Sequence, residues 1–236
     1  MEMNSDMKKQ LSIVMPCRNE AATVGICVDE AARMMAEHDL NGEIIVIDNA
    51  SSDSSAKEAE SHGAKVIRED RTGYGYAIRR GLSEASGDVI IIGDCDTTYD
   101  FAESYRIYEM LAGGGYDMVV PDRFAGKMEK GAMQLSHVLG VKFLSYIGRK
   151  KFDTDVRDFH CGLRGITRDA LKKIELHTGG MEFASEMIAE AAASGLRIGQ
   201  IGITLRRCGY PRRSKLNAAR DGMRHLLYIL RFTARR

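Results

Sequence analysis

Short apolar runs alternate with amphipathic stretches through the first half of the chain. Leu11-Ser-Ile-Val-Met15, Glu43-Ile-Ile-Val-Ile47, Ala64-Lys-Val-Ile67 and Val89-Ile-Ile-Ile92 are brief and rich in β-branched side chains, which predicts strands buried on both faces. Between them, residues 21–38 place Val24, Ile26, Val28, Ala31, Met34 and Met35 on the apolar side of a helix. Ser52-Asp-Ser54 offers N-caps for a short helix ending near Gly63, and Gly73-Tyr-Gly75 opens a helix over residues 77–85. This alternation predicts an α/β fold, a single mostly parallel twisted sheet flanked by helices. The second half continues with a helix over 101–111, a strand over 116–120, a charged flexible segment at 126–131 and a helix over 132–149. A polar loop is expected at 158–165, a helix that residues 178–186 begin and that runs to about 193, and a strand over 196–205. From Asn217 a last helix carries Met223, Leu226, Leu227 and Leu230 at helical spacing, interspersed with arginines. The chain thus divides into a flexible N-terminus (1–10), one domain (11–215) and a basic amphipathic C-terminal helix (216–236).

Open α/β sheets bind ligands beyond the carboxyl ends of their strands. Three strands end there in polar sequence: Pro16-Cys-Arg-Asn-Glu20, Asp48-Asn-Ala-Ser51 and Asp94-Cys-Asp96-Thr-Thr-Tyr-Asp100. Asp94 and Asp96 fall on one face of an extended chain with Cys95 on the other. Two adjacent carboxylates repel unless a cation lies between them, and an all-oxygen site suits Mg²⁺ or Mn²⁺ bridging to phosphates. An isolated Asp-x-Asp is often no more than an acidic loop; three strand ends aimed at one edge carry more weight. A dinucleotide-binding Rossmann domain is excluded, because the turn after the first strand lacks glycine and Gly73-Tyr-Gly75 lacks the third glycine of that fingerprint. No P-loop sequence is present either.

Charge and cysteine content narrow the setting. The 236 residues carry a net charge of +1, so no overall field points to nucleic acid. Residues 206–236 nevertheless hold ten Lys or Arg against the single acid Asp221, which implies phosphates or an anionic membrane surface nearby. Five scattered cysteines without a C-x-x-C pair argue for a reducing compartment. No signal-peptide h-region and no run of transmembrane length is found. The expected location is the cytoplasm, with peripheral contact at the inner face of a membrane through the last helix. That helix could instead pack on its own domain or on a second subunit, as a homodimer.

Taken together, the chain resembles an inverting family 2 glycosyltransferase of GT-A fold, and more narrowly the dolichyl- or polyprenyl-phosphate mannosyl- and glucosyltransferases. The resemblance runs in order from about Leu11 to Leu230. It is carried by Ser12-Ile-Val-Met-Pro16-Cys-Arg-Asn19-Glu20, Ile47-Asp48-Asn-Ala-Ser51-Ser-Asp53, Gly73-x-Gly75-x-Ala77 and Asp94-Cys-Asp96-Thr-Thr-Tyr-Asp100. Asp122-Arg123-Phe124, Asp158-Phe-His-Cys161-Gly162-Leu-Arg164 and Gly180-Met-Glu182-Phe-Ala-Ser-Glu186 complete it. It implies that Pro16, Arg18 and Glu20 line a nucleobase pocket, with Asp48 on the base or ribose. Asp94 and Asp96 would hold a UDP- or GDP-sugar and its Mg²⁺ or Mn²⁺, with Gly73 and Cys95 in the same donor-binding set. Arg18 stands where the family often has an aromatic residue, Asn49-Ala50 replaces a commoner second aspartate, and Thr98 stands where relatives supply an amide. Hydrophobic membrane segments that often follow this domain in bacterial relatives are absent from the sequence.

The chemistry follows from the leaving group. Transfer from a nucleotide diphosphate sugar requires the departing diphosphate to be neutralised, by the cation on Asp94 and Asp96 and by arginines. Arg123, Arg206, Arg213 and Lys215 are the candidates. A polyprenyl phosphate acceptor is already an anion and needs no strong base, whereas a hydroxyl acceptor needs a carboxylate in reach. Glu182 and Glu186, four residues apart on a helix, and Asp158, which the family resemblance puts on a nearby loop, are the candidates for that role. Asp96, Glu182, Asp158 and Arg123 form the expected catalytic set. The alternatives are a soluble family 2 glycosyltransferase acting on a hydroxyl or thiol of a glycan, peptide or small metabolite, a nucleotide-sugar-binding regulator, and a nucleotidyltransferase.

Overall fold

The computed structural model describes residues 9–210 and 218–233. The expected strands appear as β1 (Leu11–Cys17), β2 (Gly42–Asp48), β3 (Lys65–Arg68) and β4 (Val89–Ile92). Helices α1 (Val24–Glu37), α2 (Ser55–Ser61) and α3 (Tyr74–Glu84) connect them. β1 pairs in parallel with β2 and β4, and β2 with β3. Successive residues of these strands feed opposite cores. Ile13, Met15, Val46 and Ile91 pack with Val24, Val28 and Ala31 of α1. Val14, Ile45, Ile47 and Ile92 pack with Ala77, Ile78 and Leu82 of α3. Both faces are covered, as the unbroken apolar runs require.

The second half adds α4 (Ser104–Ala112, after a 3₁₀ turn over Phe101–Glu103), β5 (Met118–Val119) and α5 (Leu135–Phe152). It continues with β6 (Arg164–Thr167), α6 (Arg168–Leu171), α7 (Phe183–Ala193), β7 (Ile198–Gly199) and α8 (Ala218–Arg231). The sheet order is β3-β2-β1-β4-β6-β5-β7. The expected loop at 158–165 is therefore only partly a loop. Arg164–Thr167 form a central strand, antiparallel to both β4 and β5. Its arginine is 2 % exposed and donates to the carbonyls of Phe159, Cys161 and Ala184, so a residue that reads as surface is a buried strut. The strand expected over 196–205 shrinks to β7, followed by single bridges at Gly202 and Leu205, since Gly199 and Gly202 interrupt the alternation.

Helices α5, α7 and α8 pack against one another. Phe232, just beyond α8, meets Phe152 at the end of α5 edge-on. At its middle α8 is anchored on α7, where His225 Nδ1 lies 2.9 Å from Ser185 Oγ. Among the described residues no helix is long and apolar enough to cross a membrane.

Candidate active site at the carboxyl edge of the sheet

The ends of β1, β2 and β4 meet as expected, and the chain clasps them together. Asn19 N donates to Ser51 Oγ (3.0 Å), Ser52 N to Asn19 Oδ1 (2.7 Å) and Ala21 N to Asp53 Oδ2 (3.2 Å). Thr23 Oγ1 donates to the Cys95 carbonyl at 2.8 Å, tying the first loop to the third. Each loop contains a non-glycine residue in the left-handed region: Asn19 at φ 52°, Ala50 at 56° and Thr97 at 64°. For β-branched Thr97 this conformation is costly, and such strain persists where surrounding structure enforces it.

Within this edge, Pro16 is half-buried, Arg18 exposed, and Glu20 and Asp48 buried. Glu20 N donates to Ser55 Oγ (2.8 Å), and Asp48 Oδ1 accepts from Ser51 N (3.1 Å). Cys95 points away from its neighbours' face, its Sγ 3.3 Å from the Pro16 carbonyl. Asp96 accepts at Oδ1 from both Thr98 N and Thr98 Oγ1, so Thr98 orients this carboxylate. Asp94 is hydrogen-bonded by the Tyr74 hydroxyl, and burial together with the Asp94 charge pushes that phenol well above its ordinary range, keeping it a donor. A Cβ at Gly162 would stand 2.0 Å from Asp94 Oδ2. The glycine makes room for the carboxylate, while its N–H donates to Tyr99 Oη at 2.8 Å.

Gly73 serves a purpose beyond opening α3. A Cβ there would lie 2.1 Å from the Gly179 carbonyl oxygen, and one at Gly75 2.4 Å from that of Thr178. The start of α3 is thus pressed against the loop before α7. Asn49 fixes the approach, donating to the carbonyls of Glu69 (3.1 Å) and Arg71 (2.9 Å) and accepting from Gly73 N (2.8 Å). Asn49, Tyr74 and Gly162 were not among the expected site residues. Their signal in the sequence is their position inside the matching motifs.

The remaining candidates come from the second half of the chain, and those that are described are largely tied up in contacts with the protein. Arg123 and Asp158 are buried against each other in a two-point ion pair, Nε–Oδ2 2.6 Å and Nη2–Oδ1 2.7 Å. Asp158 also accepts from the backbone N–H groups of Arg123 and His160. Glu186 accepts from His177 N, Thr178 N and Thr178 Oγ1. Glu182 Oε1 takes a 2.7 Å bond from Arg224 on α8, whereas its buried Oε2 has no hydrogen-bond partner among the described residues. Arg206 pairs with Glu30 (2.7 Å) and Asp100. Arg213 and Lys215 lie outside the described residues. Behind Glu182, burial pushes the His160 imidazole well below its ordinary range, aided by His225 and Arg123. Burial likewise takes His225 down to about 4, against the pull of Glu182 and Asp221. Both rings are neutral at pH 7.

A seven-stranded mixed sheet with the Asp94–Asp96 pair just beyond the end of β4 is the architecture of the GT-A class. Residues 12–175 match the model of glycosyl transferase family 2, and the chain belongs to that family. It is 35 % identical over 230 residues to the low-salt glycan biosynthesis hexosyltransferase Agl6 of Haloferax volcanii, covering 96 % of this chain and 54 % of Agl6. It is 26 % identical to the dolichyl-phosphate hexose transferase of the same organism, over 83 % of this chain and 82 % of that protein. The chain thus spans about half the length of Agl6. In fold it is similar to glucosyl-3-phosphoglycerate synthase from Mycobacterium tuberculosis, solved in complex with phosphoglyceric acid. The TM-score is 0.76 at 22 % identity, over 94 % of this chain and 79 % of that one. The same synthase has been solved with Mn²⁺, UDP and glucosyl-3-phosphoglycerate, with TM-score 0.72, 22 % identity, and 94 % and 78 % coverage.

Proposed function

We propose that this chain transfers a hexose from a UDP- or GDP-sugar to a polyprenyl phosphate at the cytoplasmic face of a membrane, with inversion at the anomeric carbon. The observation that carries the acceptor class is the state of the acceptor-side carboxylates. Asp158 is locked to Arg123 and Glu186 is spent on the 177–178 backbone, so neither is placed to take a proton. A phosphate acceptor needs no such base, because it arrives ionised. The name of one relative, dolichyl-phosphate hexose transferase, agrees with this choice.

On the donor side, Asp94 and Asp96 suit one Mg²⁺ or Mn²⁺. Among the described residues no group of three or more His, Cys, Asp or Glu could hold a metal unaided. That suits an ion completing its shell with diphosphate oxygens and water. Such an ion supplies charge neutralisation for the leaving diphosphate. The protein's own work is orientation: Thr98 aims Asp96, Tyr74 and Gly162 seat Asp94, and the strained turns at Asn19, Ala50 and Thr97 hold the edge rigid. Pro16, Arg18, Glu20 and Asp48 serve the nucleoside, Gly73 and Cys95 shape the wall, and Arg123 with Asp158 positions the loop that carries Gly162. Arg213 and Lys215 are assigned to the acceptor phosphate, and the final helix to membrane contact.

One observation favours a second reading, transfer to a hydroxyl with Glu182 as base. Its Oε2 is buried and has no hydrogen-bond partner among the described residues. The test is incubation with labelled UDP-glucose or GDP-mannose, Mn²⁺ and a short-chain polyprenyl phosphate. Label partitioning into organic solvent supports the first reading; label confined to water-soluble product overturns it. Glu182→Gln separates the two again. It should cost less than about tenfold in kcat with a phosphate acceptor, but roughly 10²–10⁴-fold if Glu182 is a general base.

A further inference from the structure

Helix α5 presents the wrong face to water. Val141, Leu144 and Gly148 are buried, as a helix packed on its domain requires, yet Leu135, Leu139, Phe143 and Tyr146 on the opposite side are 54–74 % exposed. At 100° per residue these four fall within one stripe less than a quarter-turn wide. Helix α8 repeats the arrangement. Asp221, His225 and Ile229 face inward, while Met223, Leu227 and Leu230 form an outward stripe.

The two stripes belong to neighbouring helices that run the same way. At its middle α8 is pinned to residues 182–185 by Arg224–Glu182 and His225–Ser185, and its end meets the end of α5 through Phe232 and Phe152. The first half of α5 lies against the segment that carries Arg123: Lys142 Nζ stands 4.9 Å from the centroid of the Phe124 ring. Both apolar stripes therefore pass beside the segments that carry Phe124 and Glu182 and extend together toward Phe152 and Phe232.

Charge selects the occupant. Residues 135–152 contain four Lys or Arg and no acid, and residues 218–231 contain three and one acid, the inward-facing Asp221. Exposed Lys142 and Lys150 share the stripe of α5, and exposed Arg220 and Arg231 flank that of α8. Leucine and aromatic side chains bordered by cations, with no acid facing out, match the boundary between acyl chains and anionic headgroups.

We infer that α5 and α8 together form a docking face for an anionic phospholipid surface, with α5 an equal partner to the C-terminal helix. The inference rests on the lipid-acceptor reading and deepens it by naming the second helix and the lipid charge. The test is co-sedimentation of the full chain with vesicles of phosphatidylcholine alone or with roughly one-third phosphatidylglycerol. Binding should require the anionic lipid and weaken at high salt. Leu139→Glu/Phe143→Glu on α5 and Leu230→Glu on α8 should each lower binding by about tenfold or more, with melting temperature unchanged because all three positions face solvent.

Three results would overturn the inference: no sedimentation with either vesicle, loss confined to the α8 variant, or a solution dimer that the same variants dissociate. None of these touches the transferase reading, which is scored separately with a water-soluble short-chain prenyl phosphate in the absence of vesicles. On that substrate the α5 and α8 variants should keep wild-type rates.

Discussion

The Arg123–Asp158 pair separates a structural role from a chemical one, and its cost can be worked from the structure. Asp158→Ala removes two charge-assisted bonds of 2.6 and 2.7 Å and the acceptor of two backbone N–H groups. It leaves the Arg123 guanidinium buried with no counter-charge. Breaking a buried pair in this way costs about 3–5 kcal/mol, a large fraction of a total stability of about 5–15 kcal/mol. At about 2–4 °C per kcal/mol for a chain of this size, the melting temperature should fall by roughly 6–20 °C. The discriminating variant is the double replacement Arg123→Met/Asp158→Leu, which removes both charges while filling the space. It should be at least about 2 kcal/mol more stable than Asp158→Ala, because the stranded charge is gone. Urea denaturation followed by far-UV circular dichroism is the suitable assay, since the chain has no tryptophan. If the double variant is no more stable than the single one, the pair is not a self-compensating strut. The proposed division of labour at the site then fails. If it regains stability yet transfers no sugar, the loop carrying Gly162 depends on the pair for its geometry.

Three further outcomes are expected. His225 titrates near its ordinary value of 6.5 when unfolded but near 4 when folded, so the unfolded chain binds more protons across that window. Stability should be complete above about pH 6.5 and fall by about 3 kcal/mol on acidification to about pH 4; denaturation at a series of pH values should show a flatter profile for His225→Gln. Gly162→Ala should displace Asp94, costing about 1–3 kcal/mol by overpacking, and should lower transfer activity at least as much as Asp94→Asn. Asp96→Ala should abolish turnover and remove the Mn²⁺ dependence of UDP binding measured by calorimetry, as chelation should in the wild type; binding that ignores both would remove the metal role.

The elements whose residues all obey one period were legible before any coordinates. β1, β2 and β4 are apolar on both faces because both faces are covered, and their ends had to converge once the strands were parallel. What escaped was whatever depends on partners distant in sequence. Arg164 reads as polar until the carbonyls of Phe159, Cys161 and Ala184 surround it, so β6 was hidden inside an apparent loop. Arg123 and Asp158 each look like free chemistry, and only the fold brings residues 35 positions apart into one ion pair. Helix α5 is apolar on opposite sides, which blurs its periodicity and conceals which side is buried. The tight contact of Gly73 and Gly75 with residues 178–179 leaves no trace beyond the glycines themselves.

The placement of β6 has a consequence for how the chain is made. β4 acquires its second neighbour only when residues 164–167 emerge, more than seventy positions after Ile92. At about 5–20 residues per second of synthesis, a nascent chain carries an unpaired Val-Ile-Ile-Ile edge for several seconds, a ready template for wrong pairing. A chain cut between residues 152 and 164 should accordingly precipitate or recruit chaperones. One cut just past β7 (Ile198–Gly199) should not, because by then the centre of the sheet has closed.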